Sequence, residues 1–372
     1  MKILGYSHNI SGNASIVLDS LRIFAALTVF YGHCYDQWNY PLAGHVYSKL
    51  DNLGHVSVVV FFVLSGYVIA HTTTYNNRGK LRYAQARLSR LYSVVIPALL
   101  FTAIAQIAIF YIDNNLYLHY TRGASWPRYI FSGLFINEIW FFSAAPPING
   151  PLWSLSYEFW YYVIFGLFFY KGKGLKSYLL PVGVCLIAGP KILLMLPIWM
   201  VGNLAYRVRR PNISNQFSWI LILVIVLITG FLVFFLPFLP NQVGTKPLFW
   251  AAQFITDWII GTFVAFSLWL IPQKNKSQSK NEQPKTWYKY FRKFADLTFP
   301  LYVLHDPLLI FFRAILGSGG LHNTAQMWLA LSVTLCVCLI IGNYLEKKRH
   351  LWSEFFGKLL SYTKVIIEKI DL

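Results

Sequence analysis

Acid is what this sequence most lacks: it has 14 aspartates and glutamates against 32 lysines and arginines, a formal charge of +18. Charge of either sign is scarce as well, at 12% of 372 residues, where a soluble domain carries roughly 25%. Cysteine is rare, with only Cys34, Cys185, Cys336 and Cys338, and no CxxC occurs. Cys336 and Cys338 would point away from each other on a helix, which suits neither a disulfide nor a metal clasp. They read as buried apolar cysteines. These shortages exclude a disulfide scaffold, and the abundance of apolar residues excludes a disordered chain. Hydrophobic residues make up 56% and aromatics 18%, with a mean hydropathy of +0.49. A single core stops growing near this chain length, so the excess apolar surface must face lipid, which excludes a soluble enzyme. Nor is the basic excess a nucleic-acid footprint. It lies in short gaps between long apolar runs, not on a polar folded surface.

About 20 residues are needed to cross a bilayer as a helix. Ten apolar stretches qualify as candidates: 15–34, 55–74, 92–112, 151–170, 177–190, 192–206, 217–236, 248–271, 296–316 and 324–345. The fifth and sixth are short and meet at Gly189-Pro190, a pattern for a tight or re-entrant hairpin. Segment 128–142, between Trp126-Pro127 and Pro146-Pro147, reads as an interfacial helix in a 113–150 external segment. With the N-terminus inside, 25 basic residues fall on the cytoplasmic side and five outside, with Arg22 and Arg313 within spans. That asymmetry follows the positive-inside rule and places both termini in the cytoplasm. The first run is too polar for a signal peptide, carrying Asp19, Arg22 and His33 with no small-residue cleavage site. Polar segment 273–289 reads as a loop. The expected class is therefore an all-α integral membrane protein of about ten spans. Its single transmembrane domain covers 1–350, a cytoplasmic tail covers 351–372, and no appended soluble domain is read.

Charges within membrane spans are costly, so their default reading is functional. Asp19 and Arg22 share a helix face, and His33 lies eleven residues beyond Arg22, about 16 Å of rise and close to three full turns. Arg22 and His33 thus share a face, with Arg22 towards the cytoplasm. The plainer reading is a snorkelling Asp19–Arg22 pair and an interfacial histidine. Ser65-Gly66 permits close helix approach. Arg82, Arg87 and Arg90 are either solvated topogenic charge or a fork for a phosphorylated cytosolic molecule. Glu158 sits in an aromatic helix where a lone carboxylate needs protonation, a partner or a polar cavity. Trp153, Tyr157, Trp160, Tyr161 and Tyr162 are either an interfacial belt or a sugar-stacking surface. Tyr302 and His305 share a face. Asp306-Pro307 predicts a break in the helix ladder, of the kind that lines cavities. Asp257 is a further intramembrane carboxylate, functional or structural.

In order along the chain stand Leu18-Asp19-x-Leu21-Arg22, His33, FFVLSGYVI, Arg87-x-x-Arg90 with Pro97, LWSLSYEFWYY and Tyr302-x-x-His305-x-Pro307. This series resembles the acyltransferase-3 family, ten-span bacterial enzymes that O-acylate surface polysaccharides, from about residue 15 to 345. Arg22 and His33 match the family's arginine–ten residues–histidine motif. Tyr157 stands where members more often carry valine, and Ser20 where glycine is usual. No extracellular hydrolase-like domain is read from this sequence, so the expectation is that the chemistry lies within the spans and the 113–150 segment.

The resemblance implies an O-acetyltransferase of the bacterial inner membrane with acyl-CoA, most often acetyl-CoA, as co-substrate rather than a resident cofactor. The acceptor would be a sugar hydroxyl on an exported polysaccharide or glycolipid. Its catalytic residues would be His33, Glu158, His305 and Tyr302. His33 would be the base, with Glu158 or Asp306 fixing its tautomer and Tyr302 or His305 donating to the oxyanion. Asp19, Arg22, Ser65, Arg87 and Arg90 would bind the acyl-CoA, and Trp153 and Tyr157 the acceptor. No metal and no nucleic-acid partner are expected, the bilayer is a partner throughout, and an oligomer is compatible with the sequence. A secondary transporter or flippase using the intramembrane charges as a relay is the competing class. It would favour inverted repeats, and none is visible between the halves.

Overall fold

Ten separated apolar runs, broken by Gly, Pro and basic clusters, give helices wherever the pattern predicts one. The computed structural model describes residue 10 and residues 12–38, 52–272, 286–317 and 323–370. Among these, every regular element is helical. In chain order they are α1 (Asn13–Trp38), α2 (Leu53–Thr74), α3 (Lys80–Ile112), α4 (Asn114–Tyr120), α5 (Ser125–Gly133) and α6 (Trp153–Phe169). There follow α7 (Leu179–Ala188), α8 (Pro190–Arg207), α9 (Asn215–Phe235), α10 (Phe254–Leu270), α11 (Thr286–Asp296), α12 (Thr298–Leu316) and α13 (Thr324–Ile370). Among the described residues six helices are individually long and apolar enough to cross a membrane, seven if the bent pair Leu175–Ala188 and Pro190–Arg207 is one span. The chain is a multi-pass membrane protein.

Two compact units emerge. One comprises Met1–Asp36, Tyr40–Asn76 and Lys191–Thr298, the other Gln37–Asn39, Asn77–Pro190 and Phe299–Leu372. In the first, small residues bring α2 and α8 together. A Cβ on Gly66 would stand 2.0 Å from the Trp199 carbonyl oxygen, and one on Gly202 would stand 2.0 Å from that of Val63. Asn203 Nδ2 donates to the Gly66 carbonyl at 3.3 Å across the same seam. α11 is tied to the start of α1 through Ser15 Oγ, which accepts from Tyr288 at 2.6 Å and Arg292 at 3.0 Å. In the second unit α3 runs against α13. Gln85 Nε2 donates to the Ser353 carbonyl at 2.7 Å, and Tyr92 stacks near Trp352 and Phe356.

Several expectations need correction. The helix expected over 128–142 covers 125–133 instead. After Gly133 the chain turns through Phe135 at φ 56° and Trp140 at φ 51°. Left-handed backbone at a bulky residue survives only where its surroundings hold it, and both positions are held. Ser156 and Trp160 donate to the Phe135 carbonyl at 2.7 and 2.9 Å, and Trp140 N donates to the Ala188 carbonyl at 3.1 Å. The loop assigned to 273–289 ends by residue 286, where α11 begins; 273–285 lie outside the described residues. Residues 351–370 continue α13 as helix. Cys338 is buried but Cys336 is exposed. Lys2 and Lys49, used in the charge asymmetry, also lie outside the described residues.

Asp306-Pro307 does not break its helix, because α12 is continuous from Thr298 to Leu316. Proline removes the N–H that would have bonded the carbonyl four residues earlier, here Val303. That carbonyl instead accepts from Asn149 Nδ2 at 3.1 Å. A side chain from the segment before α6 repairs the ladder.

Candidate active site

In the first unit α1 is unbroken from Asp19 through Arg22 to His33, so the two basic side chains keep the register that the sequence gives them. Asp19 is buried and lies 3.8 Å from Arg22 Nη1. Arg22 and His33 are both half-buried. Ser65 is engaged in the helix seam, its Oγ accepting from Trp199 Nε1 at 3.2 Å.

The same unit holds a constellation that sequence reasoning saw only in part. Asp257, in the first turn of α10, is fully buried. It lies with Oδ2 2.9 Å from His55 Nε2, and its Oδ1 accepts from Gln253 Nε2 at 2.9 Å. A carboxylate so held fixes the imidazole's orientation. The partners are 202 residues apart in sequence, and His55 carried only the weak signal of a histidine opening an apolar run.

The second unit gathers the remaining residues in two neighbouring groups. In one, α12 is stitched to the start of α6. The Tyr302 hydroxyl is 2.8 Å from Ser154 Oγ and 3.1 Å from the Pro151 carbonyl. Asp306 Oδ2 accepts from Gly150 N at 3.1 Å. Asn149, fully buried, reaches Thr102 as well as Val303. His305 is fully buried, and its Nδ1 lies 3.1 Å from the Leu301 carbonyl. That contact requires the proton on Nδ1, so the neutral ring presents Nε2 as its acceptor, and only the imidazolium donates there. Asn149 was not foreseen. Its signal was the helix proline, whose orphaned carbonyl demands a donor.

In the other group the Tyr162 hydroxyl donates to Glu158 Oε1, so the carboxylate of α6 is partnered, as its position demanded. Arg87 lies over the Tyr162 ring at 5.7 Å, and Arg90 over Phe299 at 5.7 Å. Arg87 Nε is buried with no hydrogen-bond partner. Arg349 of α13 is within electrostatic reach of both arginines and lies 3.6 Å from Glu346. In the sequence it hides among topogenic charges in a Lys-Lys-Arg-His run. Glu158 is within electrostatic reach of Tyr302, which links the two groups. Trp153 and Tyr157 are buried and pack edge to face at 5.3 Å between ring centroids.

The second unit thus brings Arg87, Arg90 and Arg349 within electrostatic reach of one another, and sets Tyr302, His305 and Asp306 on one helix against the start of α6. The chain is 29% identical over 169 residues to "Putative peptidoglycan O-acetyltransferase YrhL" of Bacillus subtilis (strain 168), covering 42% of this chain and 24% of that protein. It is 30% identical over 158 residues to "Acyltransferase MdmB" of Streptomyces mycarofaciens, covering 41% of this chain and 38% of that one. The aligned part is thus well under half the length of either relative. No solved structure matches the chain. The acyltransferase-3 model, described as an acyltransferase domain, matches residues 16–343, and the chain belongs to that family.

Proposed function

We propose that the protein is a membrane-embedded O-acyltransferase of the bacterial inner membrane, moving an acetyl group from cytoplasmic acyl-CoA to a sugar hydroxyl on an exported polysaccharide or glycolipid. The observation that carries this reading is α1, an unbroken helix that presents Arg22 and His33 along one face with about 16 Å of rise between them. That separation suits a donor whose anionic portion rests at an arginine while its thioester reaches a histidine. The three-arginine cluster of Arg87, Arg90 and Arg349 supports an anionic donor, and the names of both relatives support acyl chemistry. In this reading both termini are cytoplasmic and ten helices cross.

The acceptor hydroxyl oxygen attacks the thioester carbonyl while His33 takes its proton; a C–O bond forms. Collapse breaks the C–S bond, and the proton passes from His33 to the departing thiolate. Glu158 or Asp306 would orient the base, and His305 or Tyr302 would stabilise the oxyanion. Asp19 holds Arg22, and Trp153 and Tyr157 shape the acceptor side.

The test is transfer by purified protein from acetyl-CoA to an O-deacylated cell-surface glycan, read by mass spectrometry. His33→Ala is expected to lower the rate by about 10²–10⁴-fold while leaving coenzyme A binding intact. Arg22→Ala and Arg349→Ala are expected to weaken that binding. Near wild-type transfer by His33→Ala would overturn the base assignment.

A further inference from the structure

The second unit contains a cavity of about 690 Å³, within the range of specific small-molecule sites. It lies between the first turns of α3, the latter half of α6 and the turn that follows. Lys80, Arg87, Lys171 and Lys176 line it, and none of its nineteen lining residues is acidic. Most of the remaining wall is apolar, from Leu88 and Leu91 to Phe159, Val163 and Leu167. Gly166 lets α6 approach Tyr83 of α3, where a Cβ would stand 2.7 Å from the ring. Beside Lys176 the chain exposes Leu175, Leu179 and Leu180, at 86%, 73% and 63%. Exposed leucines flanking a lysine suit the edge of a bilayer, where the apolar groups enter lipid and the ammonium stays at the headgroups.

We infer that this cavity is a binding site for an anionic phospholipid of the surrounding leaflet, its phosphate held by Lys80, Lys171 and Lys176 and one acyl chain lying along the apolar wall. Four cations without an acid define the charge of the occupant, and an apolar wall opening beside exposed leucines defines its tail. A soluble phosphate would satisfy only the first of these. The Lys171 ammonium sits over the Tyr178 ring at 3.9 Å. Arg87 marks the inner end, against Tyr162. A lipid there would bridge α3, α6 and the 171–181 turn. Lys80, Lys171 and Lys176 take no part in the acyl-transfer reading; Arg87, which also lines the cavity, is shared with the proposed donor site, and the competition with coenzyme A below separates the two.

The probe is native mass spectrometry of the purified full chain in detergent with equal amounts of phosphatidylglycerol and phosphatidylcholine. Phosphatidylglycerol is expected to be retained at least tenfold better by the wild-type protein. In Lys171→Ala/Lys176→Ala that preference should be largely lost at low salt, by about fivefold per lysine. Excess coenzyme A should leave the lipid in place. Equal retention of the two lipids by the wild-type chain would overturn the inference. Stoichiometric displacement by coenzyme A would also overturn it, giving the cavity to the donor. If the alanine variant does not fold, the wild-type competition and Lys171→Arg/Lys176→Arg, which must still hold phosphatidylglycerol, decide between these outcomes.

Discussion

Helices α9 and α12 invert the rule of a water-soluble core. α9 has a mean hydropathy of 2.9 in its most apolar window, yet only 11% of that window is buried. The corresponding window of α12 has a mean hydropathy of 1.5 and is 72% buried. In water the greasier helix would be the covered one. Here its leucines and phenylalanines face outward, which is stable only if the surrounding solvent is hydrocarbon. The less apolar helix carries Tyr302, His305, Asp306 and Arg313, all buried, and needs protein partners for them. Hydropathy along this chain therefore reports contact with lipid, while chemistry collects where hydropathy dips.

The largest effect expected from this contrast is on activity. His305→Ala on α12 should reduce transfer by about 10²–10⁴-fold if its imidazole changes partners during reaction. Size-exclusion behaviour and helical circular dichroism should be preserved. His305→Gln, which keeps a hydrogen-bonding side chain of similar length, should be nearly as inactive, because an amide neither accepts a proton nor carries charge at neutral pH. Wild-type rates in both variants would reduce α12 to a structural helix and erase the functional half of the comparison.

A second, smaller effect tests how the buried polar helix is held. Asn149→Ala removes the donor to the Val303 carbonyl and a bond to Thr102, and should lower stability by about 1–3 kcal/mol, read as thermal unfolding in lipid nanodiscs. Pro307→Ala sharpens the point by restoring a backbone N–H for that same carbonyl. In the Pro307→Ala background Asn149→Ala should cost less, with a coupling of at least about 0.5 kcal/mol. Strict additivity would show that the carbonyl of Val303 does not need Asn149.

The two helices also mark what was legible in the sequence. Every apolar run became a helix, because burial of backbone polar groups in lipid leaves few alternatives. Arg22 and His33 kept their predicted register because both lie on one continuous helix, where spacing alone fixes the face. The contacts between segments distant in sequence were not legible. Asn149 meets Val303 across 154 residues, and His55 meets Asp257 across 202. Arg349 was indistinguishable from its topogenic neighbours until α3 and α13 were placed side by side. Pro307 misled in the opposite direction. A proline in a span predicts a break when its orphaned carbonyl has no visible donor, and the donor lay on another segment. α11 was hidden because aromatics and lysines alternate there at low overall hydropathy, so its amphipathic face shows only at helical period.

The smallest expected effect is on α9, and it is the most exacting test of the comparison. Leu223 and Leu227 are 59% and 65% exposed. In a protein core Leu→Ala costs about 2–5 kcal/mol, through lost transfer energy and the cavity left behind. Neither cost applies to a leucine facing lipid. The helix remains in the bilayer when tertiary structure is lost, so its acyl-chain contacts are the same before and after, and lipid fills any gap. Leu223→Ala/Leu227→Ala should therefore change unfolding in nanodiscs by less than about 0.5 kcal/mol, as for a surface site. Leu309→Ala on α12, where the side chain is fully buried, provides the matched control and should show the full core penalty. Equal losses at the two sites would mean that the outer face of α9 is covered by protein in the membrane. Lipid would then not be its solvent, and the inversion between α9 and α12 would disappear.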